Sequence, residues 1–174
     1  MHLVIGAGEF LGGHVSRALA ADVPVIELSA DADDETLADA ISAVEVVHLC
    51  AVTHSPARRL RFRKTPPHLI RRVVDAARNA HVRRIVHVST ADVLGPNHYS
   101  RVTEKSRVKP AHPYERLKLF EEEWLLQAAQ DLEVVILRPA RVFGVGEDWI
   151  LPHLMSAVVQ GKVWLPGGGR AQQT

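Results

Sequence analysis

A single cysteine, Cys50, in 174 residues leaves no internal disulfide and suits a reducing compartment. No apolar run is long enough to cross a bilayer, so no membrane is expected as a partner. The formal net charge is only +1, so no bulk field draws the chain to nucleic acid or to a lipid surface. Ten histidines are scattered without metal-ligand spacing; no metal is expected, and they read as surface or incidental residues. Repeats and low-complexity tracts are lacking too. What is present is apolar material, 47% of the chain, enough for a sizeable core. The opening "MHLVIG" runs straight into a strand with no room for a signal peptide, and a cytoplasmic protein is expected.

Elements alternate along the chain. "HLVIG" (His2–Gly6), "VPVIEL" (Val23–Leu28), "VEVVHLCAV" (Val44–Val52), "RRIVHVST" and "EVVILRP" (Glu133–Pro139) read as strands. Helical patterns separate them, and a long polar loop runs from Ala91 to His112. Strand and helix in alternation predict a parallel sheet with helices on both faces, and the continuous apolar strands suit burial on both sides. Right-handed crossovers make it doubly wound, with the first strand central and ligands at the carboxyl ends of the strands. The segment between Leu28 and Asp34 is too short for a further strand, so the sheet should have one strand fewer than usual.

"GAGEFLG" (Gly6–Gly12) closes the first strand and opens the first helix. In that place Gly6 allows a tight turn, Gly8 lets the backbone approach a pyrophosphate, and Gly12 lets helix and strand pack closely. The helix start adds free N–H groups and partial positive charge for phosphates. A glycine-rich turn without a ligand is the bland alternative; the strand before and the helix after favour a dinucleotide. Glu27 ends the second strand, where an acid can hold the adenosine ribose hydroxyls and repel a 2′-phosphate, favouring NAD over NADP.

"HPYERLKLFEEEW" (His112–Trp124) holds one of the two tyrosines, with a lysine four residues on. Pro113 suits a helix start, and Leu117, Phe120, Trp124 and Ala128 fall at helical spacing as an apolar stripe. Tyr114 and Lys118 share a face beside it. An amphipathic helix explains this pair by itself; chemistry needs the rest of the chain to support it.

Taken together, the segments resemble the extended short-chain dehydrogenase/reductase superfamily, the NAD-dependent epimerases and dehydratases. The residues that carry the likeness are "VIGAGEFLGGHV", "VVHLCAV", "RRIVHVSTADVLG", "YERLK" and "ILRPARVFGVG", in family order over nearly the whole chain. The resemblance implies a Rossmann-like fold, an NAD cofactor and a small-molecule substrate. It implies Tyr114 as general acid/base, Lys118 on the nicotinamide ribose and lowering the tyrosine pKa, and Thr90 orienting the substrate oxygen. It also implies cofactor contacts from Gly6, Gly8, Glu9, Phe10, Leu11, Gly12, Glu27, Leu49, Cys50, Ala51 and Pro139.

Departures stand beside the likeness. Glu9 occupies the place of the family's second motif glycine, a carboxylate near a site for phosphates. Pro66 stands where the family has asparagine. Ala91-Asp92 replaces the dehydratases' Asp-Glu pair, which argues against sugar dehydration by that route. "LPGGGRAQQT" resembles a turn that in the family precedes more of the substrate lobe. The expected organisation is therefore a cofactor domain over 1–148 and the start of a truncated substrate lobe over 149–174, with a natural small variant as the alternative. On that basis Trp149, Ile150, Leu154 and Trp164 should lie partly exposed or meet a second chain, as in a homodimer. "ARRLRFRK" (Ala57–Lys64) carries five positive charges and reads as a solvated loop before it reads as a nucleic-acid surface. Three readings remain: an oxidoreductase or epimerase, a cofactor-binding but inactive sensor or assembly domain, and a nucleic-acid-binding module resting on the basic run alone.

Overall fold

The computed structural model describes residues 1–51, 68–95, 102–128, 131–148 and 150–162. Strands β1 (His2–Ile5), β2 (Val25–Leu28), β3 (Val46–Leu49), β4 (Arg84–Val88) and β5 (Glu133–Leu137) form one parallel sheet in the order β2-β1-β3-β4-β5. Helices α1 (Phe10–Leu19), α2 (Asp34–Ser42), α3 (His68–Asn79) and α4 (Pro113–Ala128) connect them, and α5 (Ile150–Val159) follows. The residues after Leu28 lead directly into α2, so β2 is an edge strand. For the same reason β1 is interior but not central: only one strand lies beyond it, and the middle of the sheet is β3.

Each strand's alternation divides the core. Leu3, Ile5, Val47, Leu49 and Ile85 face α2 and α3, where Leu37, Ile41, Val73, Val74 and Ala77 meet them. Val4, Cys50 and Val88 face the other way, towards Leu11, Val15 and Leu19 of α1. α2 starts where Asp33 accepts the Thr36 N–H at 2.8 Å, a side-chain cap that satisfies one of the helix's free donors.

Two of the histidines in the sheet meet each other. His48 on β3 and His2 on β1 lie with ring centroids 5.1 Å apart, joined Nε2 to Nδ1 at 3.1 Å. Burial pushes His48 down to about 4, helped by the charge of His2; His2 is lowered too, by burial first. The unfolded chain therefore takes up these protons at a higher pH than the folded one. Stability should be full above about pH 6.5 and decline as pH falls towards 5, by roughly 1–2 kcal/mol after discounting the partial exposure of the rings. Thermal melts between pH 5 and 7.5 measure this, and His48→Gln should reduce the slope.

Candidate active site

The carboxyl ends of β1, β3, β4 and β5 lie side by side, and the chemically capable residues collect there. Gly6 leaves β1 at φ +88, with its N–H donating to Leu28 O. A Cβ on Gly6 would meet Ala51 Cα at 2.7 Å, and a Cβ on Gly12 would meet Gly6 O at 2.0 Å. These two glycines are demanded by the close approach of β1, α1 and the end of β3. Gly8 is different: nothing lies within 4 Å of where its Cβ would be. The protein itself does not need a glycine there, but a ligand approaching the helix start would.

α1 begins after Glu9, whose side chain makes no cap; the first intrahelical bond runs from Gly13 N to Glu9 O. The N–H groups of Phe10, Leu11 and Gly12 thus form the positive end of the helix. The side chains of Phe10 and Leu11 are used for packing. Phe10 stacks edge-on against His14, 5.2 Å between centroids, under the backbone at Gly144 and Gly146; Leu11 packs on Val4 and Cys50. His14 Nε2 joins Val145 O at 2.8 Å, which draws the segment after β5 over α1. Leu49 points into the core, so only its backbone can serve a ligand. Cys50 is 1% exposed and its thiol is pushed up to about 11 by burial and then by Glu9, against the pull of Lys118. It is an inert neutral thiol. Glu27 is exposed at the end of β2 and accepts a hydrogen bond from Ser16 Oγ of α1.

These features fit a dinucleotide: an open cradle at Gly8, helix-start donors, and an oriented acid at the end of β2. Glu9 is the one feature at odds with phosphates, and its charge reaches as far as Cys50.

Ser89 and Thr90 directly follow the end of β4. Ala91 N donates to Pro139 O at 2.8 Å and Ser89 N to Leu137 O at 2.7 Å, fixing the ends of β4 and β5 together. Thr90 is buried at 8% exposure and caps a 3-10 turn, Ala91–Leu94, by accepting the Asp92 N–H at 3.2 Å. This is the bland role open to a strand-end hydroxyl, and it leaves the hydroxyl proton available to a ligand.

α4 packs against that 3-10 turn, and its inward face differs from the apolar stripe expected. Phe120 is 46% exposed, whereas Glu115, Lys118, Glu121, Glu122 and Leu125 are buried. Each charge is compensated. Glu115 reaches back to accept the N–H of His112 at 2.9 Å and that of Ala111, closing the helix start. Glu122 accepts from Arg138 Nε and Nη2 and from Ser89 Oγ, tying α4 to both strand ends. Lys118 Nζ lies 3.0 Å from Glu121 Oε2 and donates to Val88 O at 3.3 Å. His87 of β4 lies 3.4 Å from the same Glu121 oxygen.

Two expectations are corrected by this face. His87 is a buried partner of Glu121, where the histidines read as surface or incidental residues. The Tyr114 phenol is raised, where Lys118 was expected to lower it: burial acts first, then the charges of Glu121 and Asp92, while the charge of Lys118 is spent on Glu121. A signal for His87 existed in the sequence. In "RRIVHVST" it alternates with Val86 and Val88 inside a strand buried on both faces. Glu121 and Glu122 lie three and four residues after Lys118, the helical distance for contact with it.

Among the described residues no group of histidine, cysteine and carboxylates could hold a metal, and no helix is long and apolar enough to cross a membrane. Pro66, Trp149, Trp164 and the basic run Ala57–Lys64 lie outside the described residues. Leu154 is exposed at 51%, with Met155, Val158 and Val159 beside it on α5.

Sheet order, glycine turn and strand-end cluster define a Rossmann-type α/β protein. The family model of the NAD dependent epimerase/dehydratase family matches residues 2–173, and the chain belongs to that family. It is 30% identical over 140 residues to a 4-hydroxy-2-methyl-3-oxo-4-farnesyl-3,4-dihydroquinoline-1-oxide ketoreductase of Stigmatella aurantiaca, covering 77% of this chain and 42% of that protein. A short-chain dehydrogenase/reductase superfamily protein of Agrobacterium tumefaciens, solved with bound NAD, superposes with a TM-score of 0.70 at 30% identity, covering 79% of this chain and 48% of that one. A UDP-N-acetylglucosamine 4-epimerase of Methanobrevibacter ruminantium shares the fold with a TM-score of 0.78 at 22% identity, over 92% of this chain and 63% of that one. The chain thus spans less than two thirds of the length of these relatives.

Proposed function

We propose that the chain carries the NAD-binding and proton-transferring half of an oxidoreductase or epimerase that acts on a hydroxyl or carbonyl of a nucleotide-sugar-like small molecule. The observation that carries this reading is that Lys118 Nζ donates to Val88 O at the strand end that runs on into Thr90, while α4, which also bears Tyr114, packs against the 3-10 turn that Thr90 caps. Family membership and the NAD-bound relative support it. The ketoreductase relative supports carbonyl chemistry as the reaction type.

In this reading the α1 start and Gly8 receive the pyrophosphate, Glu27 the adenosine ribose, and Lys118 the nicotinamide ribose. The backbone of Leu49, Cys50 and Ala51 lines the floor, and Pro139 closes the nicotinamide end. NAD supplies the hydride chemistry when bound. Thr90 donates its hydroxyl proton to the substrate oxygen, and Tyr114 moves the proton at that oxygen. Residues 1–148 form the cofactor domain, and 149–174 open the substrate lobe; the exposed apolar residues of α5 support that division.

Calorimetric titration with both cofactors tests the binding half. NAD should bind more tightly than NADP, because Glu27 would face a 2′-phosphate; equal or tighter NADP binding removes Glu27 from the role. Nicotinamide turnover with a panel of sugar nucleotides, secondary alcohols and ketones tests the chemical half. A cofactor-binding but inactive domain is the second reading, favoured by Glu9 and by the raised Tyr114 phenol. Tight NAD binding with no turnover across the panel selects it.

A further inference from the structure

Beneath Lys118 lie a carboxylate and an imidazole that the proposed chemistry leaves unused. Lys118 and His87 are each 1% exposed and Glu121 6%. Glu121 Oε2 stands 3.0 Å from Lys118 Nζ and 3.4 Å from His87 Nε2. Glu121 is the one carboxylate within ion-pair distance of Lys118 among the described residues. The distances are close, yet neither ring nitrogen of His87 nor Glu121 Oε2 has a partner aligned for a hydrogen bond. A buried pair held for stability alone is a poor bargain, since an apolar trio of similar volume avoids the desolvation cost.

The neighbours are otherwise engaged. Glu122 on α4 is taken by Arg138 and Ser89. The Cys50 thiol on β3 is neutral, and Glu9, beyond β1, acts on that thiol. Glu115 on α4 accepts the N–H groups of Ala111 and His112, and Asp92 on the 3-10 turn acts on Tyr114. Burial lowers His87, so it stands beside Glu121 as a neutral ring, and Glu121 is ionised, its carboxyl held down by His87 and Lys118 against burial.

We infer that Glu121 is a positioning residue for Lys118: its carboxylate, backed by His87, keeps the buried ammonium charged and in place for the nicotinamide ribose. The inference rests on the proposed cofactor role of Lys118. Without Glu121, the ammonium is a lone charge out of water and gives up its proton more readily.

Glu121→Gln keeps the shape and removes the charge. Titration with NADH, followed by nicotinamide fluorescence, should give a variant close to wild type at pH 6 and about tenfold weaker at pH 9. Wild type should change little over the same range. A loss of equal size at every pH, or none, would overturn the inference. A second readout does not need the cofactor: in protein labelled with 13C,15N-lysine, with the Lys118 signal assigned by Lys118→Met, that signal should titrate at lower pH in Glu121→Gln than in wild type. Unchanged titration refutes the role. If neither protein binds NADH, the cofactor reading fails while the lysine titration still decides. Should Glu121→Gln not fold, Glu121→Asp loosens the pair by one methylene and should move the titration part of the way; no movement counts against the role.

Discussion

Replacing Tyr114 by phenylalanine is expected to lower turnover by roughly two to four orders of magnitude, the usual worth of a positioned acid/base. The ring stays, so the packing of α4 on the 3-10 turn is kept and NAD affinity should barely move. Burial, Glu121 and Asp92 all hold the phenol protonated through neutral pH. Single-turnover measurement of nicotinamide absorbance in the active protein separates chemistry from binding. A variant that keeps its rate would reduce Tyr114–Lys118 to a turn of helix.

Gly12→Ala is expected to cost roughly 3 kcal/mol of stability, or about 10 °C in Tm. The new Cβ would stand 2.0 Å from Gly6 O and 2.6 Å from Gly6 C, both backbone atoms that cannot swing aside. The first turn of α1 must then lift from β1, and the proposed phosphate site would be lost with it. Gly8→Ala is the contrast. Its Cβ meets open space, so stability should stay within about 0.5 kcal/mol while NAD binding falls. Melting curves and calorimetry on the two variants give opposite patterns if the assignment holds. A stable Gly12→Ala, or a Gly8→Ala that binds NAD as wild type does, would remove the turn from its role.

The fold was legible because its signals are local. The apolar strands, the glycines at the end of β1 and the lack of residues for a strand between Leu28 and Asp34 are all visible in short windows. Placement of β1 needed more: the strand missing beyond β2 shifts the middle of the sheet to β3. α4 was misread because spacing alone ranks Phe120 above Glu121 for burial. The charge of Glu121 is tolerable inside only because His87 and Lys118 meet it, and His87 arrives from β4, across the long loop. The raised phenol of Tyr114 was hidden for the same reason, since the residue that spends the charge of Lys118 is its own helical neighbour. Pattern reading finds faces; it does not find compensation between elements.

The strand order also bears on how the chain is built. Once β1 and β2 have paired, the later strands add one after another on the β1 side of the sheet: β3 on β1, β4 on β3, β5 on β4. No strand has to be inserted between two already in place. A chain emerging from the ribosome can therefore extend its sheet in one direction, closing one crossover at a time. The first three strands alone bring together Gly6–Gly12, Glu27 and Ala51. The proposed nucleotide cradle would thus be complete in space before Thr90, Tyr114 and Lys118 have been synthesised, and cofactor captured at that stage would act as a template for the rest.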